Sequence, residues 1–597
     1  MQPEKRLTVG IWLEVPLGAK LVGEGIYQLT MNLVRHSIES AGTRWVFAAP
    51  PWVTESLRDL LDDQRIPPDA YDILSEDRPT PLLIRLRDRL NRPKGETRKR
   101  RWSLNQILNL KVVRTVGLRV LGPILSLANP AALLTLAALV LALGVYCATT
   151  LPIAAIAANA ALGAAVLFGI VVSAQIARFV LRFAMSAARS APAEPGSDDK
   201  DRDETKKSLK QKLIDRLGGV IRRQYARASA VARGAMRVVS IHEYVRLAQM
   251  ASRRTDVDVW YVPHPGYYFA NLIKRPKVVA APDLVFVDFP TSFVGQGIVE
   301  ATNKIRKVVA QADLIVSYSD YVRREHVVRH LGREASATRV IPHAPIVLDD
   351  RLQSPDGTPE GLRGEARRVA TRFVREHLSA SVWTDTIPKS YLTDFPFEET
   401  PFLFVSSQIR HHKNCTNLIS AFETILRRRH RNVKMIITGN LGRDDTGLKK
   451  QILERQLELD VLSIPRMPND VHAAFYALAA LTVVPTLFEG GFPFPFSESL
   501  SVGTPVVMSS IPVTQETVPP DLAKIMLFEP YDPNAIAETI LWALDHREEL
   551  LARQRLLFRE LKERTWSDVA SEYLEAFRQA AWKNGSTAIH ASAQRAA

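Results

Sequence analysis

Glu489 and Glu498 stand with eight residues between them, in a stretch from Val484 to Val506 rich in glycine, proline and phenylalanine. The apolar run Leu481 to Val484 reads as a buried parallel strand. A short helix around Glu498 and a second strand, Pro505 to Met508, follow. In an open α/β sheet, ligands sit beyond the carboxyl ends of the strands, at the loop and helix start that come next. Carboxylates placed there accept hydrogen bonds from the hydroxyls of a polyol. Backbone amides and a helix N-terminus suit a diphosphate. Hydroxyls plus diphosphate describe a nucleotide-sugar. The plainer alternative is a turn with Glu498 on a solvated helix face.

Other groups could join them. Lys413 lies in a strand-to-helix loop after Phe402 to Val405, a sensible place for a point charge on phosphate. Its neighbours His411 and His412 have no third ligand at metal spacing and read as an exposed loop pair, so no metal is expected. His264 ends the strand Val257 to Val262 between two prolines, where it either offers an imidazole to a cleft or only shapes the loop. Asp283 follows Pro282 at the end of Lys277 to Ala281, with the same two readings.

The elements that must position these groups form two α/β units. The first opens with Leu7 to Leu13, a glycine loop containing Gly23 and Gly25, and an amphipathic helix to about Ser40. Because the chain goes straight into a strand, no signal peptide is expected. Trp45 to Ala49 and Tyr71 to Leu74 continue the pattern. It resumes at Ile241 with strands ending at Val262, Ala281, Ser317 and Ile341, and Ser319-Asp320 caps a helix after the third. The second unit begins at Phe402 and has further strands at Val433 to Thr438 and Val461 to Ile464.

Between these runs lies an insert. Arg119 and Arg178 bracket 58 residues without a charge or histidine, a length suited to two membrane crossings. Spans are expected at about 130–149 and 153–173, with a turn at Thr149-Thr150-Leu151-Pro152. Arg85 to Arg119 alone carries twelve Lys/Arg against two acids, so much of the net charge of +15 sits beside the apolar stretch. That distribution suits anionic lipid rather than nucleic acid and places both outer ends in the cytoplasm. A polar linker is expected over 186–204, and a basic amphipathic helix after it. A buried helical hairpin, or helices embedded in one leaflet, are the alternatives. Two cysteines, Cys147 and Cys415, provide no disulfide framework and suit a reducing compartment.

The stretch from Glu489 resembles the donor-site signature of family 4 glycosyltransferases of the group 1 type, retaining enzymes of GT-B fold. Glu489, Gly490, Phe492, Pro495, Glu498, Gly503, Pro505 and Val506 fall on P-S-x-x-E-G-F-G-x-P-x-x-E-A-x-x-x-G-x-P-V. The family places seven residues between its glutamates; here the extra residue is one glycine of the Gly490-Gly491 pair. Pro493 stands where the family has glycine and removes an N–H, leaving Gly491, Phe492 and Phe494 as amide candidates. Lys413-Asn414 resembles the family's K-N or K-G, whose lysine contacts the donor diphosphate. Gln408 stands at the place of a frequent arginine, and Arg410 is its candidate substitute. Many relatives end the strand matching Lys277 to Ala281 in His-Asp, whereas this chain has Pro282-Asp283. Gly23, Gly25 and Tyr27 resemble the family's glycine loop at the donor–acceptor cleft.

The resemblance implies two Rossmann-like domains facing a cleft: 1–80 and 240–345 for the first, interrupted by the insert 81–239, and 401–565 for the second. A connector (346–400), a crossover helix (566–582) and a disordered tail (583–597) complete the expected layout. It also implies transfer of a hexose, with a lean to mannose on GDP, from a nucleotide-diphosphate sugar to a lipid-linked or cell-envelope polysaccharide acceptor. No metal or cofactor is expected. In that picture Glu498 holds the ribose, Glu489 the donor sugar, and Lys413 with Arg410 the leaving diphosphate. The rival readings are a sugar-nucleotide epimerase or phosphorylase of the same fold, and a non-catalytic membrane scaffold or glycan-binding protein.

Overall fold

The computed structural model describes residues 6–19, 21, 25–75, 79–81, 84–85, 234, 236–293, 297–352, 358–377, 396, 399–443, 446–465 and 467–596. The expected spans, their basic flanks and the linker 186–204 lie outside these. Among the described residues, no helix is long and apolar enough to cross a membrane.

Two parallel sheets form the scaffold. The first has seven strands in the order β3-β2-β1-β4-β5-β6-β7. They are Thr8–Trp12, Arg44–Ala48, Tyr71–Ile73, Val259–Val262, Lys277–Ala281, Leu314–Ser317 and Thr338–Val340 for β1 to β7. The second has six, in the order β10-β9-β8-β11-β12-β13. These are Phe402–Val405, Lys434–Ile437, Val461–Ser463, Leu481–Val484, Val506–Ser509 and Leu527–Phe528 for β8 to β13. The central strands β4, β5, β8 and β11 are buried along their whole length, as continuous apolar runs covered by helices on both faces require. Sheet order also places the insert 81–239 in the crossover from β3 to β4, the long connection that joins the two halves of the first sheet.

In each sheet the order turns back at one point, between β1 and β4 in the first and between β8 and β11 in the second. Loops leaving adjacent strands diverge there and open a crevice. The β8 and β11 loops carry Lys413 and Glu489, so topology brings together residues 76 positions apart.

The chain between the domains packs onto the second one. The backbone N–H groups of Ile346 and Leu348 donate to the hydroxyls of Ser497 and Ser501, at 3.2 and 2.9 Å. The helix Pro359–His377 then buries Ala366, Ala370 and Val374 in the second core. The final helix, Trp566–Ala596, crosses back to the first domain. Val569, Ala570, Tyr573, Leu574 and Phe577 complete a core with Val9, Trp45 and Tyr261. Phe577 meets Trp45 edge-on, with ring centroids 6.1 Å apart, and lies 5.7 Å from Tyr261. Phe577→Ala should therefore cost about 3–5 kcal/mol, the range for a fully buried phenylalanine. Denaturant unfolding would read it, and a loss under 1 kcal/mol would contradict the packing.

Candidate functional site

Lys413 owes its position to the residue after it. Asn414 has φ 55° and ψ 25°, the left-handed conformation that Asn and Gly adopt most readily. That turn starts the helix Cys415–Glu423 and leaves Lys413 at the loop tip. The Asn414 side chain is buried and donates to the carbonyl of Pro530 at 2.7 Å, which pins the loop from behind. The His412 carbonyl accepts from Leu487 N at 2.7 Å and from the Thr486 hydroxyl at 3.2 Å. The loops after β8 and β11 are thus stitched side by side. His412 is half-buried rather than exposed as expected, because its backbone is tied into this seam. Burial, then the charges of Lys413 and Arg410, pushes its imidazole down to about 3. Arg410 and His411 are exposed at the rim.

Across the seam, Lys413 Nζ donates to Glu489 Oε1 at 2.5 Å, with both side chains largely shielded from solvent. Glu498 lies on the helix Phe494–Ser501. Its Oε2 accepts from the buried Tyr476 hydroxyl at 2.7 Å. Behind it, the Ser406 hydroxyl and His472 Nε2 are 2.8 Å apart. Burial lowers the pKa of His472, opposed by the nearby Glu498 charge, and raises that of Tyr476. A neutral phenol therefore holds one carboxylate oxygen of Glu498. Tyr476 and His472 share the helix Asn469–Leu478, and the sequence gives no sign of the bond from Tyr476 to Glu498.

The glycine pair meets the first domain directly. A Cβ on Gly490 would lie 1.5 Å from the Pro282 carbonyl oxygen and 3.3 Å from the Asp283 Cβ. A Cβ on Gly491 would lie 2.9 Å from His343 Nε2 and 3.0 Å from the Tyr318 Cβ. The added glycine and Pro282 at the histidine position, two separate departures in sequence, are thus contiguous in space. Two further stacks join the domains. Phe488 lies against His326, with centroids 5.4 Å apart and planes at 12°, and Phe494 lies 4.0 Å from the His343 ring. His326 is fully buried, and its Nε2 is 3.1 Å from Asp288 Oδ2. Burial pushes the His343 imidazole down to about 4. Phe492 packs instead on Phe496 of its own domain, 5.3 Å between centroids.

Of the remaining expected residues, Gly23 lies outside the described residues, and Gly25 opens the helix Gly25–Ala41. Tyr27 and Tyr267 bring their hydroxyls within 3.4 Å, beside the first sheet's own switch point. His264 Nδ1 accepts from Gly266 N at 2.9 Å, so the ring braces its own loop. Its pKa is lowered by burial, opposed by Asp283, which is exposed. Sequence reading missed Glu14, just beyond β1. It accepts from Phe269 N at 2.9 Å, and burial pushes its carboxyl up to about 7. Glu14 lies outside any expected motif, and only the β1–β4 switch point would have drawn attention to it. Among the described residues there is no cluster of His, Cys, Asp or Glu suited to a metal ion.

Residues 393–555, which hold the paired Lys413 and Glu489, match the family model for Glycosyl transferases group 1. The O-antigen chain mannosyltransferase B of Escherichia coli is 24% identical over 217 residues, 35% of this chain and 55% of that protein. The lipopolysaccharide 1,2-N-acetylglucosaminetransferase of Salmonella typhimurium is 24% identical over 185 residues, 30% of this chain and 48% of that protein. The chain thus spans about half the length of the curated relatives it matches. A solved glycosyltransferase structure from Rickettsia africae is similar with a TM-score of 0.46 at 10% identity, covering 96% of this chain and 99% of that one.

Proposed function

We propose that this protein is a membrane-anchored, retaining GT-B glycosyltransferase. It moves a hexosyl group from a nucleotide-diphosphate sugar to a lipid-linked or cell-envelope glycan. The observation that carries this reading is the Lys413–Glu489 pair at the switch point of the second sheet, with Glu498 on the following helix.

In this reading the donor diphosphate draws Lys413 away from Glu489, since a dianion outbids a single carboxylate for the ammonium. Glu489 is then freed to face the donor sugar, where it accepts from hydroxyls and stabilises positive charge developing at the anomeric carbon. Lys413, with Arg410 at the rim, stabilises the leaving diphosphate. Glu498, oriented by Tyr476, accepts from the ribose hydroxyls. The bond from anomeric carbon to phosphate oxygen breaks, and the acceptor oxygen bonds on the same face. The acceptor proton passes to the departing phosphate, so no separate protein base is needed and the configuration is retained. No metal or cofactor takes part. Mannose on GDP is the favoured donor, in keeping with the name of the Escherichia coli relative. The charge-free residues 120–177 and their basic flanks hold the enzyme in the plasma membrane, with both domains on the cytoplasmic side.

The test is thermal stabilisation of detergent-purified protein by GDP, UDP and ADP. One nucleotide at a hundredfold excess over its Kd should add about 2.7 kcal/mol, and Glu498→Ala should abolish the shift. No shift with any of the three would favour the scaffold reading.

A further inference from the structure

Among the contacts that hold the loop carrying Glu489 against the opposite domain is one serine hydroxyl. Ser319 follows β6 and is 5% exposed. Its Oγ accepts from Val322 N at 3.3 Å, capping the helical turn Val322–His330, and donates to the carbonyl of Gly490 at 2.9 Å. A serine hydroxyl has one proton to donate. Here that proton goes to a carbonyl 171 residues away on the other domain, not to the local backbone. The recipient carbonyl belongs to the residue directly after Glu489. On its other side the same glycine backbone abuts the Pro282 carbonyl. The Gly490 carbonyl is buried, so losing its donor leaves an unsatisfied acceptor that only a shift of the loop can relieve.

We propose that Ser319 is a positioning residue for Glu489: through the Gly490 carbonyl it sets where the carboxylate stands when the domains meet. The proposal rests on the transferase reading above. The nucleotide half of the donor would be gripped by Lys413, Glu498 and Tyr476, all on the second domain, and the sugar-facing carboxylate alone is aligned from the first. Binding and turnover thereby separate. Loss of the Ser319 hydroxyl leaves nucleotide affinity in place and slows the chemical step. It follows that Pro282, in place of an imidazole, acts by shape, as the wall against which the Gly490 backbone rests.

The experiment uses the full-length protein in detergent, with Ser319→Ala, Ser319→Asp and Ser319→Thr. Aspartate keeps the helix cap but has no proton for the Gly490 carbonyl; threonine keeps both functions. Nucleotide stabilisation is measured with GDP and UDP. Turnover is measured with GDP-mannose and UDP-glucose as donors and a bacterial lipid extract as acceptor. A carboxylate displaced by a fraction of an ångström to 1 Å loses on the order of tenfold to a hundredfold in rate. Ser319→Ala and Ser319→Asp should therefore lose at least about tenfold in kcat. Donor KM should stay within about twofold, nucleotide stabilisation should be unchanged, and Ser319→Thr should recover at least about half of kcat. The proposal is overturned if Ser319→Asp turns over like wild type, if Ser319→Thr is as slow as Ser319→Ala, or if nucleotide stabilisation falls with kcat. Wild-type protein that binds a nucleotide yet turns over neither donor would overturn the transferase reading, and this inference with it. Wild-type turnover combined with a fast Ser319→Asp overturns this inference alone.

Discussion

Lys413→Ala should lower sugar transfer by about two to three orders of magnitude, the scale on which removal of one preorganised charge from a developing anion is felt. The residue has no substitute at its own position. Arg410 stands exposed at the rim, whereas Lys413 alone sits in the seam between the β8 and β11 loops. Stability should change little, by about 1 kcal/mol or less. Lys413 and Glu489 keep 22% and 24% of their side-chain surface exposed, so water reaches Glu489 when its partner is gone. The two effects are separable: steady-state turnover falls while the melting temperature holds. A rate within threefold of wild type would remove Lys413 from the leaving-group role. Glu489→Gln should also slow transfer, since an amide keeps the size but not the charge facing the sugar.

Gly490→Ala should be nearly as damaging, for a steric reason. The new methyl would fall 1.5 Å from the Pro282 carbonyl oxygen, which is backbone and cannot swing aside. Either the loop lifts or the domains part, and in both cases Glu489 leaves its place. A loss of at least about a hundredfold in kcat/KM is expected, with nucleotide stabilisation retained because Lys413, Glu498 and Tyr476 are untouched. Gly491→Ala gives the comparison. Its nearest neighbours are side-chain atoms of His343 and Tyr318, at 2.9 and 3.0 Å, which can shift by a few tenths of an ångström. A Gly490→Ala enzyme faster than Gly491→Ala would contradict the close approach.

Much of this arrangement could be read from the residues before any coordinates. Strands β5, β8 and β11 match the expected runs to the residue, because strands buried on both faces are mostly apolar segments ended by proline or polar turns. The pairing of Lys413 with Glu489 follows once the sheet order is known, since their strands are neighbours. Most of what resisted reading lies between the domains, and one contact lies inside the second. Ser319 carries an ordinary cap signature, and nothing local indicates that its proton crosses to Gly490. His343 reads as a strand end, yet it lies against Phe494 and Gly491. Tyr476 falls among buried apolar neighbours with no sign that its hydroxyl meets Glu498. Contacts of this kind have no period and no spacing. They arise only when two finished surfaces meet.

The helix Trp566–Ala596 also fixes an order of assembly. The first domain's strands are made first, but Tyr573, Leu574 and Phe577, which help close its core, are made only after the whole second core. The second domain draws its core from residues 348 to 558 and has everything it needs earlier. Maturation therefore runs against the direction of synthesis. The first core stays incomplete until this helix returns to it, and contacts spanning more than five hundred residues are slow to form. A chain cut short near residue 565 would keep a complete second core and an unfinished first one. Chaperones and proteases would meet the apolar positions left uncovered there and so discriminate chains that carry this helix from chains that lack it.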